Sequence, residues 1–283
     1  MPPAVRRPVS TVVRTAGKFT SSARILPSAL IVGAQRAGTT SLHRTLLQHP
    51  AILGPLHKKG VHYFDVSYPQ GGDWYQGHFP LRASVRRLAQ RVGVPPIAIE
   101  SSPYYMFHPL AATRFARDLP GVRVVVMLRD PIARAYSAYT HERARGFETA
   151  EFADALALEE ERLAGEETRI HADAGYISHA HRHNAYLARG RYAEQLANLT
   201  AAVGSGRVHV VDSGDFFTDP AATYREVVAF LGLPDWPAVH HEQHNARPRT
   251  DLDAATAERL RAYFAPHDEQ LATWLGWQPS WLR

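Results

Sequence analysis

The feature that most constrains this chain is a short apolar run, residues 28–33 (SALIVG), that passes directly into Ala34-Gln35-Arg36-Ala37-Gly38-Thr39-Thr40-Ser41. Residues 28–33 read as a buried strand, and residues 39–48 as a helix that closes before Pro50. A strand, a glycine-containing turn and a helix start form an anion site, because the glycines admit close approach and successive N–H groups converge on the anion. Thr39, Thr40 and Ser41 add hydroxyl donors. The spacing follows the nucleotide-triphosphate P-loop, Gly-x4-Gly-Lys-Ser/Thr, with one departure. Thr39 stands at the lysine position, and the cation inside the loop is Arg36. No apolar strand ends in an acidic residue placed as an obvious magnesium holder; Leu128, at the end of the strongest strand, is followed by Arg129 instead, which weighs against an ordinary kinase or nucleotidase.

The rest of the chain alternates strand and helix patterns. Residues 97–100, 122–128 (VRVVVML) and 207–212 (RVHVVD) read as strands. Residues 132–143, 152–167, 190–199, 224–231 and 254–264 read as helices, with 152–167 as one charged amphipathic helix. This alternation predicts an α/β fold of three layers, P-loop-like, with a central parallel sheet flanked by helices. No repeat or second-domain boundary interrupts residues 25–283.

Charge is unevenly placed. Residues 1–24 carry Arg6, Arg7, Arg14, Lys18 and Arg24 with no acid, whereas the remaining 259 residues balance 27 basic against 27 acidic side chains. A balanced body argues against a nucleic-acid binder. The basic stretch is expected to be a solvated leader, with contact to an anionic membrane surface as the alternative. It lacks the apolar core and cleavage site of a signal peptide, and no run of about 20 apolar residues predicts a membrane span. The chain has no cysteine, which excludes disulfides, thiol nucleophiles and thiolate metal sites. That composition fits a reducing, cytoplasmic setting.

A second anion site is expected where the strongest strand ends in Leu128-Arg129-Asp130-Pro131, with Ser137 on the next helix. Ligands of open parallel sheets bind beyond the carboxyl ends of the strands, so Arg129 is placed to face the same crevice as the loop. A guanidinium fork with a hydroxyl suits a phosphate.

With these residues in place the chain resembles the sulfotransferases that use 3′-phosphoadenosine-5′-phosphosulfate (PAPS). Residues 33–41 are similar to their 5′-phosphosulfate loop, and Arg129 with Ser137 to their 3′-phosphate motif. Further elements resemble the branch with heparan sulfate sulfotransferases and bacterial relatives. These are Val61-His62-Tyr63-Phe64-Asp65, Gly72-Asp73-Trp74-Tyr75, Phe79-Pro80, Glu100-Ser101-Ser102-Pro103-Tyr104-Tyr105, a helix start at Gly190-Arg191-Tyr192, and Asn245-Ala246-Arg247-Pro248. The resemblance implies PAPS as donor, 3′-phosphoadenosine-5′-phosphate (PAP) as product, and no metal. It implies donor binding by Arg36, Ala37, Gly38, Thr39, Thr40, Ser41, Arg129, Ser137, Tyr192 and Arg247. The acceptor, whether glycan, lipid or small metabolite, and the oligomeric state are left open.

Two departures bear on the chemistry. The loop cation, usually lysine in the family, is Arg36, and Gly60 stands where the glycan enzymes carry a catalytic glutamate. The lysine often found after the residue matching Glu100 is Ser101. His62 is therefore expected as general base, since an imidazole is neutral and basic near pH 7. Treated as a strand, residues 60–65 place Gly60 and His62 on one face. Asp65 or Glu100 is expected to orient the ring or to act as base instead. Lys58 and Lys59 read as attractors of an anion or as a solvated turn. The alternating His179, His181 and His183 read as a surface or acceptor-pocket cluster rather than a metal site. A P-loop kinase, or a relative that kept the nucleotide fold without catalysis, is the competing expectation, the latter motivated by Gly60.

Overall fold

The computed structural model describes residues 17–237 and 252–283. Arg247, with the whole 245–248 element, lies outside the described residues. Five parallel strands form one sheet in the order β2-β3-β1-β4-β5. They are β1 (Ala29–Gly33), β2 (Ile52–Leu53), β3 (Ile97–Ser101), β4 (Arg123–Leu128) and β5 (Val208–Asp212). β1 is buried at every position, and so is β4 after its first residue, as expected of strands covered on both faces.

The chain runs from β1 to one side of the sheet and returns across it between β3 and β4, so β1 lies at the switch point. Right-handed crossovers in opposite directions put their helices on opposite faces. The β1–β2 crossover carries α1 (Thr39–Leu46), the β2–β3 connection carries α2 (Gly72–Gln76) and α3 (Arg82–Val92), and the β3–β4 crossover carries α4 (Ala111–Asp118). Next come α5 (Pro131–Ala144), α6 (Phe152–Ala157), α7 (Glu159–Leu163), α8 (Glu166–Ala172), α9 (His179–His183) and α10 (Tyr192–Val203). After β5 follow α11 (Ser213–Thr218), α12 (Pro220–Phe230) and α13 (Ala254–Leu275). α1 packs with α12, and α10 packs with both α4 and α13. The main core fills the sheet faces, and a smaller cluster around Tyr139, Phe152, Tyr186 and Phe264 sits outside α5.

Capping fixes the helix starts that matter for the site. The Asp130 carboxylate accepts from the Ile132 N–H at 3.0 Å, and Pro131 takes the first helical position of α5. Asp212 caps α11 in the same way.

Three expectations need correction. Residues 152–167 do not form one helix but parts of α6, α7 and α8. The chain turns so that Glu159 faces inward, where its carboxylate accepts the N–H groups of Tyr186, Leu187 and Ala188 at 2.7–2.8 Å. Gly165, at φ 74°, makes the next break. The helix expected at 254–264 runs on through Pro266 to Leu275. Residues 17–24, grouped with the leader by charge, pack on the body: the Ser21 hydroxyl donates to Asp73 at 2.8 Å and Arg24 to the Phe79 carbonyl at 2.7 Å.

Candidate active site

A cleft of about 1030 Å³ opens at the carboxyl ends of β1 and β4. Its floor is the loop between β1 and α1. Gly38 sits at φ 109°, where glycine is favoured, and a Cβ there would also crowd the Phe217 ring at 3.1 Å. Arg36 is also left-handed, at φ 72°, a conformation that costs a non-glycine residue of the order of 1–3 kcal/mol and is held by its surroundings. Its Nε donates to the Ser137 hydroxyl at 3.1 Å, and its carbonyl accepts from Arg129 Nη1 at 3.0 Å. The two expected anion motifs are thus joined by direct hydrogen bonds.

Arg36, Ala37, Gly38, Thr39, Thr40, Arg129 and Ser137 all line the cleft. Ser41 and Tyr192 do not; both are about 1 % exposed. Tyr192 instead donates its hydroxyl to the Arg129 carbonyl at 2.8 Å, so it holds the strand end that carries the guanidinium.

The segment after Lys59 reaches the cleft by a route that strand alternation does not describe. Residues 60–66 form a loop and turns, and His62 has φ 56°. A Cβ on Gly60 would meet the Ser101 carbonyl at 2.5 Å, so that position points into the end of β3, while His62 lines the cleft. The shared face expected for the two residues is therefore absent. What shapes this loop is Glu100, which is fully buried. Its Oε1 accepts from the Val61 N–H at 2.8 Å, the Ser102 hydroxyl at 2.6 Å and the Tyr105 hydroxyl at 2.9 Å. Its Oε2 accepts from the Tyr75 hydroxyl at 2.6 Å. Burial first, and then the carboxylate itself, push both tyrosines well above their usual pKa, so they remain donors. Glu100 is enclosed by these donors and is not among the residues that line the cleft.

His62 and Asp65 are brought together. His62 Nδ1 lies 2.7 Å from Asp65 Oδ2; the imidazole is about 35 % exposed and the carboxylate is buried. Asp65 is held by the Val66 N–H at 2.6 Å, and Arg114 clamps the carbonyls of Phe64 and Asp65. An acceptor on Nδ1 selects the tautomer that leaves the Nε2 lone pair for the cleft. Burial pulls the His62 pKa down, but the hydrogen bond and charge of Asp65, helped by Glu100, outweigh it and the net shift is upward.

Of the two readings of Lys59, attractor of an anion or solvated turn, the cleft position fits the first. Lys59 Nζ donates to the Thr39 and Thr40 hydroxyls at 3.1 and 3.0 Å, and so lies against the loop. Phe217 and Trp281 give the cleft aromatic faces, although Trp281 reads from sequence as packing for the last helix. Tyr104 lines the cleft, whereas Tyr75 and Tyr105 are core and Trp74 packs against the core.

Of the three alternating histidines, His183 lines the cleft and bonds Glu142 at 2.9 Å, while His181 is buried against the Tyr104 hydroxyl at 2.8 Å. Glu142 is buried too. Burial pushes its pKa up, but His183 and Arg145 outweigh that and hold it below the usual range. Gln35 of the loop bonds both Glu142 and Arg189. Arg145, Arg182, His141 and His183 line the cleft, Arg145 and His183 as partners of Glu142. Among the described residues no group of three or more His, Cys, Asp or Glu side chains is arranged to hold a metal, and no helix is long and apolar enough to cross a membrane.

The family model "Sulfotransferase domain" matches residues 26–246. Human bifunctional heparan sulfate N-deacetylase/N-sulfotransferase 2 is 29% identical over 213 residues, which is 74% of this chain and 22% of that protein. Its bovine counterpart is 27% identical over 292 residues, 91% of this chain and 31% of that protein. The chain thus spans between about a fifth and a third of the length of these relatives. A solved sulfotransferase from Alicyclobacillus acidocaldarius superposes with a TM-score of 0.67 at 31% identity, covering 92% of this chain and 100% of that one. The matched stretch takes in the phosphate loop, the His62 loop and the Arg129 motif together, so the chain belongs to the sulfotransferase family and is an enzyme of sulfuryl transfer.

Proposed function

We propose that this enzyme takes the sulfuryl group from PAPS and places it on a hydroxyl or amine of an anionic acceptor, with His62 as general base. The observation that carries this reading is the joining of two cation-and-hydroxyl clusters, Arg36 with Thr39 and Thr40 and Arg129 with Ser137, in one cleft with the His62–Asp65 pair. The chemistry of that set fits a nucleotide with two separated phosphates: guanidinium forks, hydroxyls and the N-terminus of α1 all favour anions. Phe217 and Trp281 supply aromatic faces suited to a purine.

PAPS supplies an activated sulfuryl group on a phosphate leaving group. The chain does the rest by positioning and charge. Arg36 and the loop N–H groups meet the charge that gathers on the leaving phosphate. Arg129 and Ser137 hold the 3′-phosphate. His62 Nε2 takes the acceptor proton as the nucleophile attacks sulfur, and Asp65 stabilises the imidazolium that results. Tyr192 steadies Arg129 through its carbonyl, and Glu100 steadies His62 through the backbone of its loop.

An anionic acceptor is supported by Arg145, Arg182, His141 and His183, which line the cleft. An acidic glycan is the class that fits best, in keeping with the names of the mammalian relatives. The test is transfer of radiolabelled sulfate from PAPS to uronic-acid polysaccharides, with neutral glycans alongside, in excess EDTA. Sulfated product should appear on the acidic acceptors in step with PAP release. Loss of transfer on chelation, restored by magnesium, would contradict the metal-free reading, and equal transfer to neutral glycans would contradict the acceptor class.

A further inference from the structure

Lys59 is an ammonium that no carboxylate neutralises among the described residues. Its Nζ is hydrogen-bonded only to the hydroxyls of Thr39 and Thr40, in the first turn of α1, and among the described residues no carboxylate pairs with it. The positive end of a helix is an unfavourable place for a cation. Arg44 on the same helix adds like charge. Burial, and after it Arg44, lower the Lys59 pKa to about 8. His43, also on α1, is pushed down to about 4, by burial first and then by Lys59 and Arg44, and stays neutral near pH 7. Glu100 of β3 is enclosed by its own donors, and Arg36 of the loop is cationic. A half-buried cation held against the phosphate loop, with no carboxylate beside it, is placed to meet an anion that enters the cleft.

The backbone shows how it is brought there. The Lys59 carbonyl accepts from the Ser101 N–H at 3.0 Å. Gly60, which leaves no room for a side chain, lets the segment lie directly on the end of β3. Ser101 is the position at which the family resemblance has a lysine, and Thr39 is the position at which a P-loop has one. Neither is a lysine in this chain, yet an ammonium arrives between them from a third segment.

We infer that Lys59 is a catalytic residue of the sulfuryl transfer, contacting the oxygen that bridges the sulfur and the 5′-phosphate of the donor. The inference rests on the donor reading above. The S–O bond to the phosphate breaks, its electron pair stays on that oxygen, and the acceptor proton goes to His62. Lys59 keeps its protons and donates a hydrogen bond to the oxygen as its charge grows. Gly60, the departure that removes the family glutamate, is then also what admits this cation.

The test uses the intact chain with PAP, which retains the 5′-phosphate oxygen, and follows affinity by calorimetry between pH 6.5 and 9.5. Wild-type affinity should fall above pH about 8, as the free enzyme loses the Lys59 proton. Lys59→Met, which keeps the aliphatic stem, should bind PAP about tenfold or more weakly at pH 7, the scale of one charged hydrogen bond, and lose that alkaline decline. Its kcat should fall about 10²–10³-fold, as for loss of a preorganised donor to the developing charge. Lys59→Arg should recover much of both and bind without the decline. Wild-type affinity that stays level to pH 9.5, or Lys59→Met with unchanged PAP affinity and kcat, overturns the assignment of Lys59 while leaving the donor reading standing. Wild-type protein that binds no PAP overturns both.

Discussion

His62→Ala should lower kcat by about 10² or more with a hydroxyl acceptor, the lower range for loss of a general base. Donor affinity should change little, because the clusters proposed to bind phosphate lie after β1 and β4 and on the helices that follow them. The pH profile adds a second, independent readout. A base acts only when unprotonated, so the wild-type rate falls as pH drops through the folded-state pKa of His62. Burial lowers that pKa, but Asp65 and Glu100 raise it further, so the acid limb should sit above the ordinary histidine value of about 6.5. Asp65→Asn removes the larger of the two raising partners. It should move the acid limb to lower pH and lower kcat as well, since the ring loses the partner that sets its tautomer. A His62→Ala enzyme with near-normal kcat would assign the proton to another group in the cleft.

Arg129→Ala should weaken PAPS binding by about 1.5–3 kcal/mol, the scale of a charged hydrogen bond. Adenosine-5′-phosphosulfate, which has no 3′-phosphate, should lose much less. The control matters because Arg129 Nη1 also donates to the Arg36 carbonyl at 3.0 Å. If both donors lose affinity equally, Arg129 acts by holding the loop and not by meeting the 3′-phosphate. Competitive binding of the two nucleotides to wild type and variant separates these outcomes.

Strand, loop and helix around residues 28–48 were legible because each local signal agreed with the next: an apolar run, a glycine turn and a run of hydroxyl residues. The same holds for residues 122–143, where Asp130 and Pro131 mark the helix start. Legibility ended where long-range contacts override local pattern. Residues 152–167 carry a helical pattern, yet Glu159 turns inward to take three backbone N–H groups from residues 186–188. Residues 60–65 alternate like a strand, but a buried carboxylate 39 residues from Val61 folds them into a turn. His62 thus reaches the cleft by a left-handed backbone around Glu100, not by alternation. Lys59 reads only as an attractor of an anion or as a solvated turn, and nothing local places Phe217 or Trp281 in the cleft. Their place depends on which chain ends the sheet order brings to β1, and that order is not written in any single segment.

Titration of the protein with PAP, and separately with ATP and magnesium, tests the central claim most directly. A cleft built from Arg36 and Arg129 for two separated phosphates should bind PAP in the presence of EDTA, and at least about tenfold more tightly than ATP with magnesium, one charged contact being worth that much. Tighter binding of magnesium-ATP, or PAP binding that requires the metal, would contradict the account.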